Sequence, residues 1–205
     1  MKKLAIVLAL TSFSGLAFGQ AGELWFSYGE SIMEHSGLGT NLIFDGTPND
    51  VKLSDGYRFS FRFGFNSGDH LGYEIQYAFN HMNLDFSPAA AASIGLPSGG
   101  LGMHMHQGGA NVLYYMFTTD KTRIRPFVTG GVQFDNFVPP GGQSYNGSTK
   151  FGANFGAGVK FHIKGMWAGR LDAREYVTPK PSFGFALNSG ALWQTEISAG
   201  VGIGF

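Results

Sequence analysis

Residues 192–205 read LWQTEISAGVGIGF, and this stretch decides the fold. Taken every second residue, Trp193, Thr195, Ile197, Ala199, Val201, Ile203 and Phe205 form one series. Leu192, Gln194, Glu196, Ser198, Gly200, Gly202 and Gly204 form the other. Successive side chains of a strand point to opposite faces, so this is a strand with one apolar face and one small or polar face. It is too long for an ordinary edge strand, which would leave a row of amides unpaired. It ends on an aromatic residue, as a barrel that closes on its last strand does.

The other end reads as a secretory signal. Lys2 and Lys3 precede an apolar run from Leu4 to Phe18, and Ala17-Phe18-Gly19 offers small residues for cleavage before Gln20. The expected division is a signal peptide at 1–19 and one barrel domain at 20–205. A transmembrane helix would need a longer run with a charged flank after it. With zero cysteines there is no lipoprotein anchor, disulfide framework or thiolate metal site.

Removing Lys2 and Lys3 leaves 12 basic against 14 acidic residues, which argues against nucleic acid as a partner. The composition holds 32 Gly, 20 Phe, 8 Tyr and 3 Trp, with only 14% of residues charged. Glycine without a collagen-like period, combined with abundant aromatics, suits a barrel with a crowded inside and a greasy outside.

The same alternation recurs along the chain. Strand one is read over Leu24–Ser31, with Leu24, Phe26 and Tyr28 opposite Trp25, Ser27, Gly29 and Ser31. Strand two sets Tyr57, Phe59, Phe61, Phe63 and Phe65 against Gly56, Arg58, Ser60, Arg62, Gly64 and Asn66. Five aromatics in a row are an aggregation hazard in water and an ordinary outer face in lipid. After a short turn at 66–70, strand three places Leu71, Tyr73, Ile75, Tyr77 and Phe79 outside, and Gly72, Glu74, Gln76, Ala78 and Asn80 inside.

Strand four puts Gly108, Ala110, Val112, Tyr114 and Met116 outside, with Gln107, Gly109, Asn111 and Tyr115 inside. A turn at 118–123 leads to strand five, Ile124 to about Asp135. Strand six puts Phe151 and Ala153 through to Ile163 outside, and Gly152, Asn154, Gly156, Gly158, Lys160 and His162 inside. Lys164-Gly165-Met166 is read as a three-residue turn, because Ile163 and Trp167 must both face lipid. Strand seven, Trp167–Val177, points Arg170, Asp172 and Arg174 inward.

The last strand makes eight. Long connections at about 32–54, 81–105, 136–149 and 178–191 alternate with short ones. The expectation is an all-β, eight-stranded antiparallel up-and-down transmembrane β-barrel, with both termini periplasmic and the long loops outside the cell. A soluble lipocalin-like barrel would bury the aromatic face, and so small an interior cannot hold it.

Three stretches now carry a family likeness. Arg125-Pro126-Phe127-Val128-Thr129-Gly130-Gly131-Val132 resembles the fifth-strand motif of OmpA-like outer-membrane β-barrel proteins. Arg170 to Tyr176 resembles their penultimate strand, and Val201-Gly202-Ile203-Gly204-Phe205 resembles the signal read by the barrel-assembly machinery. The likeness spans essentially the whole chain after the signal, without a peptidoglycan-binding module after Phe205. It implies a monomer in the bacterial outer membrane, partnered by outer-membrane lipids and, during biogenesis, by the assembly machinery and periplasmic chaperones. Val201, Ile203 and Phe205 would be the assembly signal.

Candidate chemistry is sparse. His104-Met105-His106 with His81 could hold a metal, but zinc wants three or four ligands and no carboxylate lies nearby, so a solvated loop is the expectation. No nucleophile–base pair of the kind used by outer-membrane lipid-modifying enzymes is visible, and the reading is a non-enzyme without cofactors. Gly200, Gly202 and Gly204 recur on a strand face, unlike a phosphate loop, and leave room inside the barrel. Asn146-Gly147-Ser148 matches a glycosylation sequon of a kind frequent by chance.

The inward series assemble a candidate lumen charge network: Arg58, Arg62, Glu74, Lys160, Arg170, Asp172, Arg174 and Glu196. Asp172 would share the charge of Arg170 and Arg174, Glu196 would lie near Arg174, and the flanking glycines would make space for the arginines. An eight-stranded barrel is just wide enough for its own side chains, so the lumen is expected to be plugged. The functional expectation is a structural or surface-interaction role. Two alternatives are an OmpW-type conduit for small or apolar solutes, disfavoured because no lateral apolar trough is evident, and a lipid-modifying enzyme.

Overall fold

The computed structural model describes residues 21–39, 50–93, 95, 100–117, 123–140, 147–183 and 189–204. The expected signal peptide, Asn146 of the sequon and Phe205 lie outside them. Among the described residues there are ten strands and one short helix. They are β1 (Ala21–Glu34), β2 (Gly37–Gly39), β3 (Val51–Leu53), β4 (Gly56–Ser67), β5 (Leu71–Phe86), α1 (Pro88–Ser93), β6 (Gly100–Tyr115), β7 (Ile124–Val138), β8 (Ser148–Lys164), β9 (Trp167–Pro179) and β10 (Ala191–Gly204).

Eight of the strands close on themselves. Each long strand pairs antiparallel with its neighbour in the chain, and β1 pairs with β10 to seal the cylinder. The first and last strands run side by side from Glu23↔Gly204 to Glu34↔Trp193. Closure leaves no edge along these strands, which is the condition for a sheet to stand in hydrocarbon. No helix among the described residues is long and apolar enough to cross a membrane.

The wall alternates as the period-two reading requires. Phe26, Tyr28, Phe61, Ile75, Tyr77 and Val132 are exposed on the outside, whereas Arg58, Arg62, Arg170 and Arg174 are fully buried within. Outside, the aromatics pack across strands. Phe26 and Phe61 sit opposite each other with ring centroids 5.1 Å apart, and Tyr28 meets Phe59 at 4.9 Å.

The strands run further than the alternation suggests. The expected loop at 81–105 is largely hairpin, with β5 and β6 paired up to Asp85↔Gly100. The reason is an inversion of pattern. Up to Asn80 the large apolar residues of β5 face out. Beyond it Met82 and Leu84 face in and are buried, while Asn83 is exposed. Met103 and Met105 of β6, Phe137 of β7, Leu192 of β10 and Val51 and Leu53 of β3 join them in one apolar cluster at this end. Above the bilayer the outside meets water and the inside is dry, so the polarity of the faces switches and the stretch imitates a loop. The first expected loop also contains structure: β2 pairs with β3, and β3 continues the edge of β5 at Val51↔Phe86.

The turn after β8 differs as well. Lys164 pairs with Trp167, leaving two turn residues, Gly165 and Met166. Gly165 has φ +60°, as the first position of a II′ turn needs. The parity that seemed to demand three residues is absorbed by a register shift between His162 and Lys164, which leaves both Ile163 and Trp167 exposed on the outside.

Phe61 lies midway along β4 on the lipid-facing wall and is 53% exposed. Phe61→Arg is expected to destabilise the barrel by about 2–4 kcal/mol. Urea titration of the protein refolded into lipid vesicles reads this directly. An unchanged midpoint would mean that Phe61 does not meet the hydrocarbon.

Candidate functional site

The lumen is layered, and each layer follows from which residues the inward parity presents. At the short-turn end, Trp25 of β1, Leu113 and Tyr115 of β6 and Phe127 of β7 are buried and form an apolar floor. The glycines opposite make this possible. A Cβ on Gly202 would stand 2.5 Å from the Trp25 ring, and one on Gly158 would stand 2.5 Å from the Phe127 ring. The space beside β9 was expected to be filled by arginines. Gly156 does lie against Arg174, but Gly158 and Gly202 are taken by aromatic rings.

Above the floor is the charge network. Asp172 lies between its neighbours on β9: Arg170 Nε donates to its Oδ2 at 2.6 Å, and Arg174 Nη2 approaches its Oδ1 at 3.1 Å. Arg62 reaches the same carboxylate from β4 at 3.4 Å. Glu74 of β5 receives Arg170 Nη1 at 2.5 Å and Arg174 Nη2 at 2.9 Å. Glu196 of β10 is paired in register with Arg174, as expected, but its ion pairs reach past β1 to Arg62 at 2.5 Å and Arg58 at 3.2 Å on β4. The Tyr176 hydroxyl donates to Glu196 Oε2, the oxygen that Arg58 Nε also faces, at 2.6 Å, and Arg58 Nη2 donates to Tyr176 at 3.0 Å.

Lys160 does not join this group. Its ammonium pairs with Glu23 of β1 and donates to the Tyr115 hydroxyl at 2.6 Å. It also lies 5.2 Å from the Trp25 ring centroid, so it is held among the floor aromatics. Arg170 stands over the Phe127 ring at 4.8 Å and joins the two layers.

Two carboxylates escaped the sequence reading. Glu23 precedes Leu24, the first residue of the expected strand one, although it shares the inward parity of Trp25 and Ser27. Asp135 sits where strand five was expected to end, and it is buried. Gln107 donates to its Oδ1 at 2.6 Å, and the Thr178 hydroxyl donates to Oδ2. With them the interior holds Arg58, Arg62, Lys160, Arg170 and Arg174 against Glu23, Glu74, Asp135, Asp172 and Glu196. The two sets are equal in number, although Asp135 enters no ion pair among the described residues and is held by Gln107 and Thr178. Charges removed from water need such partners, because an unmatched one costs several kcal/mol.

Polar amides continue the filling upward. Gln194 donates to Ser31 at 2.5 Å and to Asn80 at 3.0 Å, and Asn80 accepts from Arg58 at 3.2 Å. The apolar cluster of Met82, Leu84, Met103, Met105 and Phe137 then covers the long-loop end. The lumen is therefore filled along its length by its own side chains.

The outer wall holds a feature that the sequence reading missed. A lateral apolar groove of about 460 Å³ is lined by Phe65, Tyr73, Ile75, Ala110, Val112 and Val132, with Gly130 and Gly131 in its lining. It follows from adjacent small residues on β6 and β7. Glu74 and Asn111, whose side chains point inward, complete its lining between these residues.

The remaining candidate residues fall as follows. Val201 is exposed on the lipid face and Ile203 is half-buried beside it, while Phe205 lies outside the described residues. His81, His104 and His106 stand on the outer face of β5 and β6 rather than in a loop. Among the described residues no group of three or more potential metal ligands is found.

Asp172→Ala leaves Arg62, Arg170 and Arg174 short of one buried counter-charge. The expected result is a loss of about 3–5 kcal/mol in stability or the appearance of ion conductance through water admitted to the lumen. Denaturant titration and bilayer recording together check it. If neither changes, the network does not hold the lumen shut.

The outer membrane protein beta-barrel domain family matches residues 5–205 of this chain. No curated protein matches it. Among solved structures it is similar to the outer membrane protein OprG from Pseudomonas aeruginosa, at 14% identity and TM-score 0.57, covering 91% of this chain and 96% of that one. Neisserial surface protein A is similar at 12% identity and TM-score 0.54, covering 92% and 98%. Ail, the attachment invasion locus protein of Yersinia pestis, is similar at 14% identity and TM-score 0.51, covering 92% and 100%, in a structure with the heparin analogue sucrose octasulfate. At these identities the likeness is one of fold. A closed eight-stranded barrel with an aromatic exterior, matched by the family over nearly its whole length, belongs to the outer membrane protein beta-barrel domain family and to the bacterial outer membrane.

Proposed function

We propose that this protein is a sealed outer-membrane barrel with a structural or surface-interaction role, acting neither as an enzyme nor as a pore. The observation that carries the reading is the filled lumen. Charge pairs occupy its middle and an apolar cluster occupies its long-loop end. An open eight-stranded pore would need small side chains or separately solvated charges inside, whereas these groups bond to one another. Function then falls to the long connections, since loops on a rigid scaffold carry most recognition.

Both termini are placed in the periplasm in this reading, because β1 and β10 begin and end at the side of the short turns. The partners are outer-membrane lipids around the wall and, during biogenesis, the barrel-assembly machinery and periplasmic chaperones. The mature protein is read as a monomer.

Recording in planar bilayers is expected to show no stable conductance, and liposomes carrying the protein are expected not to take up small polar or apolar solutes. Uptake of an apolar solute without ion conductance would replace this reading with that of a conduit. A second expectation concerns assembly. Deleting Phe205 should lower the yield of inserted barrel in cells while leaving refolding in detergent largely intact. Equal loss in both assays would remove the signal role from the terminal residue.

A further inference from the structure

The outer face of the β5–β6 hairpin changes character at one level. Tyr73, Ile75 and Tyr77 face the lipid below it, and Asn83 is exposed above it. At the boundary the register sets His81 opposite His104 and Phe79 opposite His106. The Nδ1 atoms of His81 and His104 are 3.1 Å apart. Each ring is flanked by an aromatic neighbour: Tyr57 lies 5.1 Å from His81, and Phe79 lies 5.1 Å from His104. His106 is differently engaged, with its Nδ1 2.7 Å from the Tyr77 hydroxyl.

Two imidazole nitrogens at this separation share a single proton in the metal-free pair. The same two lone pairs fit adjacent positions on a metal ion. With metal–nitrogen bonds of about 2.0–2.1 Å, a 3.1 Å separation subtends about 100° at the metal. That angle lies between the square-planar and tetrahedral values. We propose that His81 and His104 form a two-histidine chelate for a borderline divalent transition metal, with Cu²⁺ preferred over Ni²⁺ and Zn²⁺ by the usual order for nitrogen donors. The other coordination positions are open to water or to a phosphate oxygen of the neighbouring headgroups. The site is thus an exchangeable one at the membrane rim, since a structural site would enclose its metal with four protein ligands. The flanking rings orient the imidazoles, so binding needs little reordering of the side chains.

The test uses the whole untagged mature protein, folded in detergent micelles, with its N-terminal amine blocked. Copper chloride is titrated while the electron paramagnetic resonance spectrum is recorded, and zinc chloride is added in competition. The first equivalent of copper is expected to show hyperfine coupling to two nitrogens and to be displaced by excess zinc. His81→Asn and His104→Asn should each weaken binding by about tenfold or more, the loss of one of two ligands, while His106→Asn should leave it within about twofold. All three side chains lie on the outer face, and heat-modified electrophoretic mobility checks that each variant is folded. Unchanged copper affinity in either His81→Asn or His104→Asn, or an equal loss in His106→Asn, would overturn the site and leave a hydrogen-bonded imidazole pair.

Discussion

The interior of this barrel depends on one carboxylate surrounded by guanidiniums. Asp172 meets Arg170 and Arg174 from its own strand and Arg62 from across the lumen. Those arginines in turn engage Glu74 and Glu196, so three carboxylates and four arginines, Arg58 included, form one connected body. Opposite charges at these distances are strongly attractive in a medium of low dielectric, and the same medium makes any unmatched member costly. The network is therefore stable only as a whole. It ties β4, β5, β9 and β10 together through the centre of the cylinder, at right angles to the ladders that tie them around it.

The layers above and below follow from this core. The floor of Trp25, Tyr115 and Phe127 excludes water on one side, and it is seated by glycines on facing strands. The Lys160–Glu23 pair lies beside the main network, with Lys160 in register with Arg170, and balances itself. The methionine-rich cluster excludes water on the other side. A charged layer enclosed between two largely apolar layers is a strong barrier to ions, because an ion entering either end must shed its water before it meets the central network. The outer wall follows a different rule. It needs apolar area facing lipid, and aromatic residues on neighbouring strands supply it in cross-strand pairs.

Much of this was legible in the chain. Arg58, Arg62, Glu74, Arg170, Asp172, Arg174 and Glu196 were all placed inside by parity, and all are buried there. Glu23 and Asp135 were missed for a simple reason: each sits at the end of a strand, where alternation has too few neighbours to establish a phase. Parity alone left five cations against three carboxylates, an excess that pointed to missing anions. The loop at 81–105 was misread because the alternation changes sign where the strand leaves the membrane. Met82 and Leu84 look like lipid-facing residues out of phase, and only a dry core above the bilayer explains them.

The sequence by itself determined the number of crossing strands, the face each presents and the kind of solvent outside. Those properties are local, because a strand's side chains alternate whatever lies beside it. Tertiary structure alone decided which charge meets which. Arg62 and Glu196 are 134 residues apart in the chain and 2.5 Å apart in the barrel. Their meeting depends on the closure of β1 on β10 and on the stagger of every strand between. It also decided that Arg174, the register partner of Glu196, spends its guanidinium on Glu74 and Asp172. A long flexible side chain in a narrow cylinder reaches neighbours that strand register does not name.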